Sequence, residues 1–187
     1  YALPDEKIQI GPWAAVIEAY RQPSPRDLAK TRASLGLPDM FALYPAKAWP
    51  HKNHRRLLEA LRILRDERGL VINVVFTGSQ DGFDVALREA AAELEIADQM
   101  ILTGYVDPMQ LRSLYRMARM LVFPSLFEGW GMPILEAFSA ELPVVCSNVT
   151  SLPDLTAGPA RLVDPQAPAD MAAAIREVWA GESGPEG

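Results

Sequence analysis

Residues 120–147 read MLVFPSLFEGWGMPILEAFSAELPVVCS, two short apolar runs separated by a glycine-bearing loop and an amphipathic stretch. The runs at 120–123 and 143–146 are too short for helices and rich in aliphatic side chains, so each reads as a buried strand. Between them Pro133 stands where a fixed φ suits a first helical turn, and a helix is expected over 134–140. Strand, helix and strand at this spacing make a parallel β-α-β unit.

The alternation continues on both sides. Further strands are expected at 41–46, 71–77, 100–103 and 161–163. Asn53 is expected to cap a helix through Arg68, in which Leu57, Leu58, Leu61 and Leu64 recur at helical spacing and Gly69 is the stop. Asp81 or Gly82 opens an alanine-rich helix to Glu95, Asp107 and Pro108 start another that runs to Ala118, and residues 169–179 form the last. The fold class is therefore α/β: a Rossmann-like, doubly wound parallel sheet of about six strands with helices on both faces. Residues 1–39 do not join the pattern and read as a lead-in and linker, residues 40–180 as the domain, and residues 181–187 as a frayed tail.

Composition bounds the partners. The chain has 187 residues, 49% apolar and 22% charged, enough nonpolar side chain for one sizeable core. Its net charge of −6 argues against a nucleic-acid backbone as the main partner. No apolar run reaches the roughly 18 residues of a membrane-spanning helix, so a soluble chain is expected. Cys146 is the single cysteine and reads as an inert core thiol; with two histidines the chain is poorly equipped for a metal site, and none is expected. The sequence opens on Tyr1 rather than Met, as a piece of something longer would.

In a sheet ordered 3-2-1-4-5-6 the first and fourth strands are neighbours whose helices leave to opposite faces, and ligands bind in the crevice at their carboxyl ends. The loops 47–52 and 124–132 both border that crevice. Gly131 and Met132 lie where a helix begins, so their amides suit a phosphate, although a plain helix-opening turn would also use glycine. Glu128 and Glu136 flank that helix start; repelled by phosphate, they suit sugar hydroxyls, and the alternative is a pair of solvated helix-end glutamates. Lys47 and Lys52 would supply positive charge for a departing diphosphate, the alternative for each being an ordinary surface lysine. His51 and His54 are assigned to packing or the surface.

The string PSLFEGWGMPILEAFSAELPVVCSNVTSLPDL resembles the signature segment of retaining glycosyltransferases of the GT-B fold, family four, with Glu128 and Glu136 as its Glu-x7-Glu pair. YPAKAWPHKNHRRLLEAL is similar to that family's phosphate-binding lysine segment, and TGYVDPMQLRSLYRMARMLVFPS to the intervening β-α-β piece, so the resemblance covers residues 41–179. Residues 8–14 resemble the interdomain connection, which would make the chain the carboxyl-terminal, nucleotide-sugar donor-binding half of a two-domain enzyme.

The resemblance implies that Lys52 and Lys47 hold the donor diphosphate, with Lys52 and Glu128 as the catalytic pair and Glu128 touching the transferred sugar. Gly131 and Met132 would donate backbone hydrogen bonds to the diphosphate or sugar, Glu136 would hold the ribose hydroxyls, and Val106 would lie near the base. No cofactor or metal is implied. The partners implied are a nucleoside-diphosphate sugar and, through a missing amino-terminal domain, an acceptor glycan or lipid-linked glycan. The PHKN variant leans towards mannose and bacterial polysaccharide or lipopolysaccharide synthesis, in the cytoplasm or at the inner face of the membrane. This fragment alone is expected to be inactive. Three departures stand out: Lys47 replaces the usual arginine, Glu141 occupies a customary glycine position and is expected to strain its turn, and Asp154 replaces a frequent glutamate. The alternatives are a non-catalytic nucleotide-binding module and a GT-B sugar-nucleotide epimerase. A dinucleotide dehydrogenase is disfavoured, because no glycine fingerprint follows the first strand.

Overall fold

A computed structural model describes residues 22–78, 83–156 and 160–181. Six strands, β1 Ala42–Pro45, β2 Val74–Thr77, β3 Met100–Gly104, β4 Met120–Phe123, β5 Val144–Ser147 and β6 Ala160–Val163, form one sheet ordered β3-β2-β1-β4-β5-β6. Every neighbouring pair is parallel. The order and the α/β class agree with the sequence; the strand at 120–123 is as expected, and the bounds of the others shift by at most three residues. The expected start at Val71 fails because its side chain is 53% exposed; the ladder begins at Val74, inside the buried layer.

Among the described residues, seven α-helices connect and flank the strands: α1 Pro25–Leu35, α2 His54–Arg68, α3 Phe83–Glu93, α4 Pro108–Met117, α5 Met132–Ser139, α6 Leu152–Leu155 and α7 Pro168–Ala180. Right-handed crossovers moving outward from β1 to β3 put α2 and α3 on one face, where they touch and where α7 returns to pack on α2. Crossovers running the other way put α4 and α5 on the opposite face, and α1 packs on α4. Apolar side chains on α2 at Leu57, Leu58, Leu61 and Leu64 are all buried, as their spacing required.

Two readings need correction. The segment assigned to a lead-in contains α1, whose start is marked by a Ser24 and Asp27 capping box and a proline, and whose end is marked by Gly36 in the left-handed region. Its sparse apolar content hid it, since only Thr31 within it is buried. Asn53 occupies the position before α2, but its φ is +61° and its side chain makes no cap bond. The interdomain segment 8–14, the helix opening at Asp81 or Gly82, and the tail beyond Gly181 lie outside the described residues.

Candidate functional site

The crevice has a structural origin in the sheet. The ladder between β1 and β4 runs through Ala42↔Met120 and Leu43↔Leu121 and ends there. Beyond it the Tyr44 and Phe123 rings meet edge to face, 5.8 Å between centroids, and each chain leaves its strand on its own side. From β1 the chain passes Lys47 and forms a single 3-10 turn, Pro50–Lys52, before α2. From β4 it passes Pro124 and Glu128 to reach α5. The two loops are joined by the amide of Leu126 donating to the carbonyl of His51 at 2.8 Å. Burial keeps the Tyr44 phenol protonated well above its ordinary range, and it donates to the carbonyl of Lys52.

Lys52 and Glu128 converge here. Their Nζ and Oε1 atoms are 2.5 Å apart, with only 16% and 11% of the side chains exposed. The ammonium also stands 5.5 Å from the centre of the Phe123 ring. One of its three N–H groups serves Glu128, so the same group can address an anion entering the crevice. The Glu128 backbone is held from both sides: its N–H donates to Thr150 Oγ1 at 3.2 Å, and Ser151 Oγ donates to its carbonyl at 3.3 Å. Thr150 has a φ of +54°, costly for a β-branched residue and consistent with a backbone set for the position of its hydroxyl.

Gly131 precedes α5 with a φ of +76°, and a Cβ there would stand 2.6 Å from Leu152 Cδ2. Glycine is thus required on two independent grounds, whereas Gly129 faces open space. At the start of α5 Pro133 carries no N–H and the Ile134 N–H donates to the Gly131 carbonyl at 2.9 Å, which leaves the amides of Gly131 and Met132 as the donors of this helix start. Glu136, one turn into α5, accepts a 2.6 Å hydrogen bond at Oε2 from the buried phenol of Tyr115 on α4. A carboxylate oriented in this way presents its remaining acceptor sites in a fixed direction.

The other candidates fall as follows. Lys47 is exposed at the rim, with its ammonium 5.2 Å from the centre of the Trp49 indole. Val106, in the loop after β3, is buried, while its neighbour Tyr105 is 78% exposed. His54 is in the core, its ring 4.6 Å from that of Tyr44 and 5.5 Å from that of Phe76. Burial, aided by the charge of Lys52, pushes its pKa down to about 4. The buried Cys146 thiol is pushed up to about 12 by desolvation. Among the described residues, no group of three or more His, Cys, Asp or Glu converges as a metal site, and no helix is long and apolar enough to cross a membrane. Sequence reasoning missed Tyr44, Asn53, Tyr115, Thr150 and Ser151 as parts of the site. Their partners lie far away in the chain, so no local pattern marks them.

Known proteins resemble the chain in architecture and in sequence. The solved structure of a glycosyltransferase from Rickettsia africae superposes over 89% of the chain and 45% of its own length, with a TM-score of 0.78 at 17% identity. An Anabaena protein, HepE, solved in complex with UDP and glucose, superposes over 86% of the chain and 44% of its own length, with a TM-score of 0.72 at 20% identity. Both show a common fold, the Rossmann-like half of GT-B glycosyltransferases. An O-antigen chain mannosyltransferase B from Escherichia coli is 38% identical over 125 residues, 67% of the chain. The chain spans about a third of that relative's length (33%). Residues 28–186 match the family of glycosyl transferases group 1, a span that runs from within α1 to beyond α7 and takes in every site residue described above, and the chain belongs to that family.

Proposed function

We propose that the chain is the donor-binding domain of a retaining, family-four glycosyltransferase that moves a sugar, mannose in our reading, from a nucleoside diphosphate to an acceptor hydroxyl. The carrying observation is the Lys52–Glu128 pair, set at the parting of β1 and β4 and next to the start of α5. A diphosphate placed there meets a cation and a helix N-terminus, while its sugar meets a carboxylate; these are the groups that the departing diphosphate and the sugar hydroxyls need. The names of the relatives support the assignment: O-antigen mannosyltransferases among the sequences, and a UDP complex among the structures.

In this reading Lys52, assisted by Lys47 at the rim, neutralises charge on the diphosphate as its bond to the anomeric carbon breaks. Gly131 and Met132 donate from the backbone to the diphosphate or sugar, Glu128 accepts from the transferred sugar, Glu136 from the ribose, and Val106 backs the base. The acceptor, a glycan or lipid-linked glycan in bacterial polysaccharide or lipopolysaccharide synthesis, is held by a second domain in the full-length protein. The full-length enzyme works in the cytoplasm or at the inner face of the membrane.

Calorimetric titration of the chain with UDP, GDP, ADP, their sugar conjugates and NAD tests this. One nucleoside diphosphate should bind with a dissociation constant of about 0.1 to 1 mM, and Lys52→Ala should weaken it about tenfold or more while leaving the nucleoside unaffected. Preference for NAD, or equal loss for nucleoside and diphosphate, would refute the assignment.

A further inference from the structure

Asn53 follows Lys52 directly and is 4% exposed, with its backbone in the left-handed region at φ +61° and ψ +32°. Glycine adopts that conformation at least cost, so a side chain kept there needs a reason. The side chain makes no cap bond to α2. Its amide nitrogen donates instead to the carbonyl of Pro124 at 2.9 Å and to that of Pro165 at 2.7 Å, and its oxygen accepts from Arg56 Nη1 at 3.1 Å. Pro124 opens the loop that carries Glu128, and Pro165 lies between β6 and α7. Both amide protons are thus spent on carbonyls 71 and 112 positions away.

We propose that Asn53 is a positioning residue: its buried amide clamps the loop carrying Lys52 to the loop carrying Glu128 and so sets the geometry of the ion pair. The clamp is well placed for this role because its two ends, Asn53 and Pro124, lie one residue from Lys52 and four residues from Glu128 along the chain. Binding of a nucleoside diphosphate is affected only if the donor-site reading above also holds. Asn53 differs from an ordinary satisfied core amide in one respect: its loss should be read at the Lys52 ammonium and not throughout the molecule.

The test uses Asn53→Gly, which keeps the left-handed backbone and deletes the amide, and Asn53→Asp, which keeps the shape and removes both donors. The rate of Lys52 acylation by an amine-reactive ester is followed by peptide mass spectrometry against the exposed Lys30, with Glu128→Gln giving the rate of an unpaired Lys52. In each folded variant Lys52 should react at least fivefold faster relative to Lys30, approaching the Glu128→Gln rate. An unchanged ratio, or unfolding of both variants, would overturn the proposal, the latter by assigning Asn53 to global stability. A second arm measures UDP and GDP affinity: a tenfold loss in the variants without loss of nucleoside binding supports the positioning role. If the unaltered chain binds no nucleoside diphosphate, the donor reading falls while the acylation ratio still decides the role of Asn53.

Discussion

Lys52 and Glu128 are 76 positions apart in the chain and 2.5 Å apart in the fold, at the point where β1 and β4 separate. Two mostly buried opposite charges at this distance depend on each other: each removes the desolvation cost that the other would carry alone. In the proposed function an incoming diphosphate would compete with Glu128 for the ammonium, which would tie the pair's stability to ligand recognition.

The losses from removing the two partners should not add. Lys52→Met or Glu128→Gln alone is expected to destabilise the chain by about 2 kcal/mol, and the double replacement by less than the sum of the two. Urea unfolding of the four proteins measures this; simple additivity would mean that the pair contributes nothing.

Glu136 is aimed by Tyr115 through a 2.6 Å hydrogen bond. Glu136→Ala should weaken ribonucleotides more than their 2′,3′-dideoxy analogues, and Tyr115→Phe should reproduce part of that selectivity with a stability cost of about 1 kcal/mol. Equal losses for both ligand types would remove Glu136 from the ribose.

Glu141 bears out the expectation of a strained turn, with a φ of +56° just beyond α5. It is exposed and carries a negative charge near the negative end of the helix, so both backbone and dipole disfavour it. Glu141→Gly should raise the melting temperature by about 2 to 4 °C, measured by calorimetry. A lower melting temperature would show that the side chain contributes more than the strain costs.

His54 gives the stability a pH dependence. Its folded pKa of about 4 lies below its ordinary 6.5, so between these values the unfolded chain binds more protons than the folded one. Stability therefore rises with pH through that window and is fully present above it. Lowering the pH from 7.5 to 5 should cost about 2 kcal/mol from this group alone, and His54→Leu should flatten the dependence in urea unfolding at the two pH values.

Much of what acts locally was legible: the apolar run at 120–123, the run at 143–146 one residue ahead of the observed Val144–Ser147, the buried leucines of α2, and Asp107 with Pro108 at the start of α4. These signals lie within a few residues of what they specify, because hydrophobic period and cap chemistry act over one or two turns. α1 was missed because its short, polar sequence shows little period, although its caps were present.

The parallel order of the sheet followed from the alternation of elements, and with it the meeting of the loops at 47–52 and 124–132. The sequence by itself therefore determined which residues would share a crevice. Tertiary structure alone decided how they meet. It paired Lys52 with Glu128, turned Tyr115 to Glu136, and took the Asn53 amide from its helix end to two distant carbonyls. A hydrogen bond across dozens of positions leaves no trace in local composition, because its strength depends on a few tenths of an ångström that only the packed core between the loops can fix.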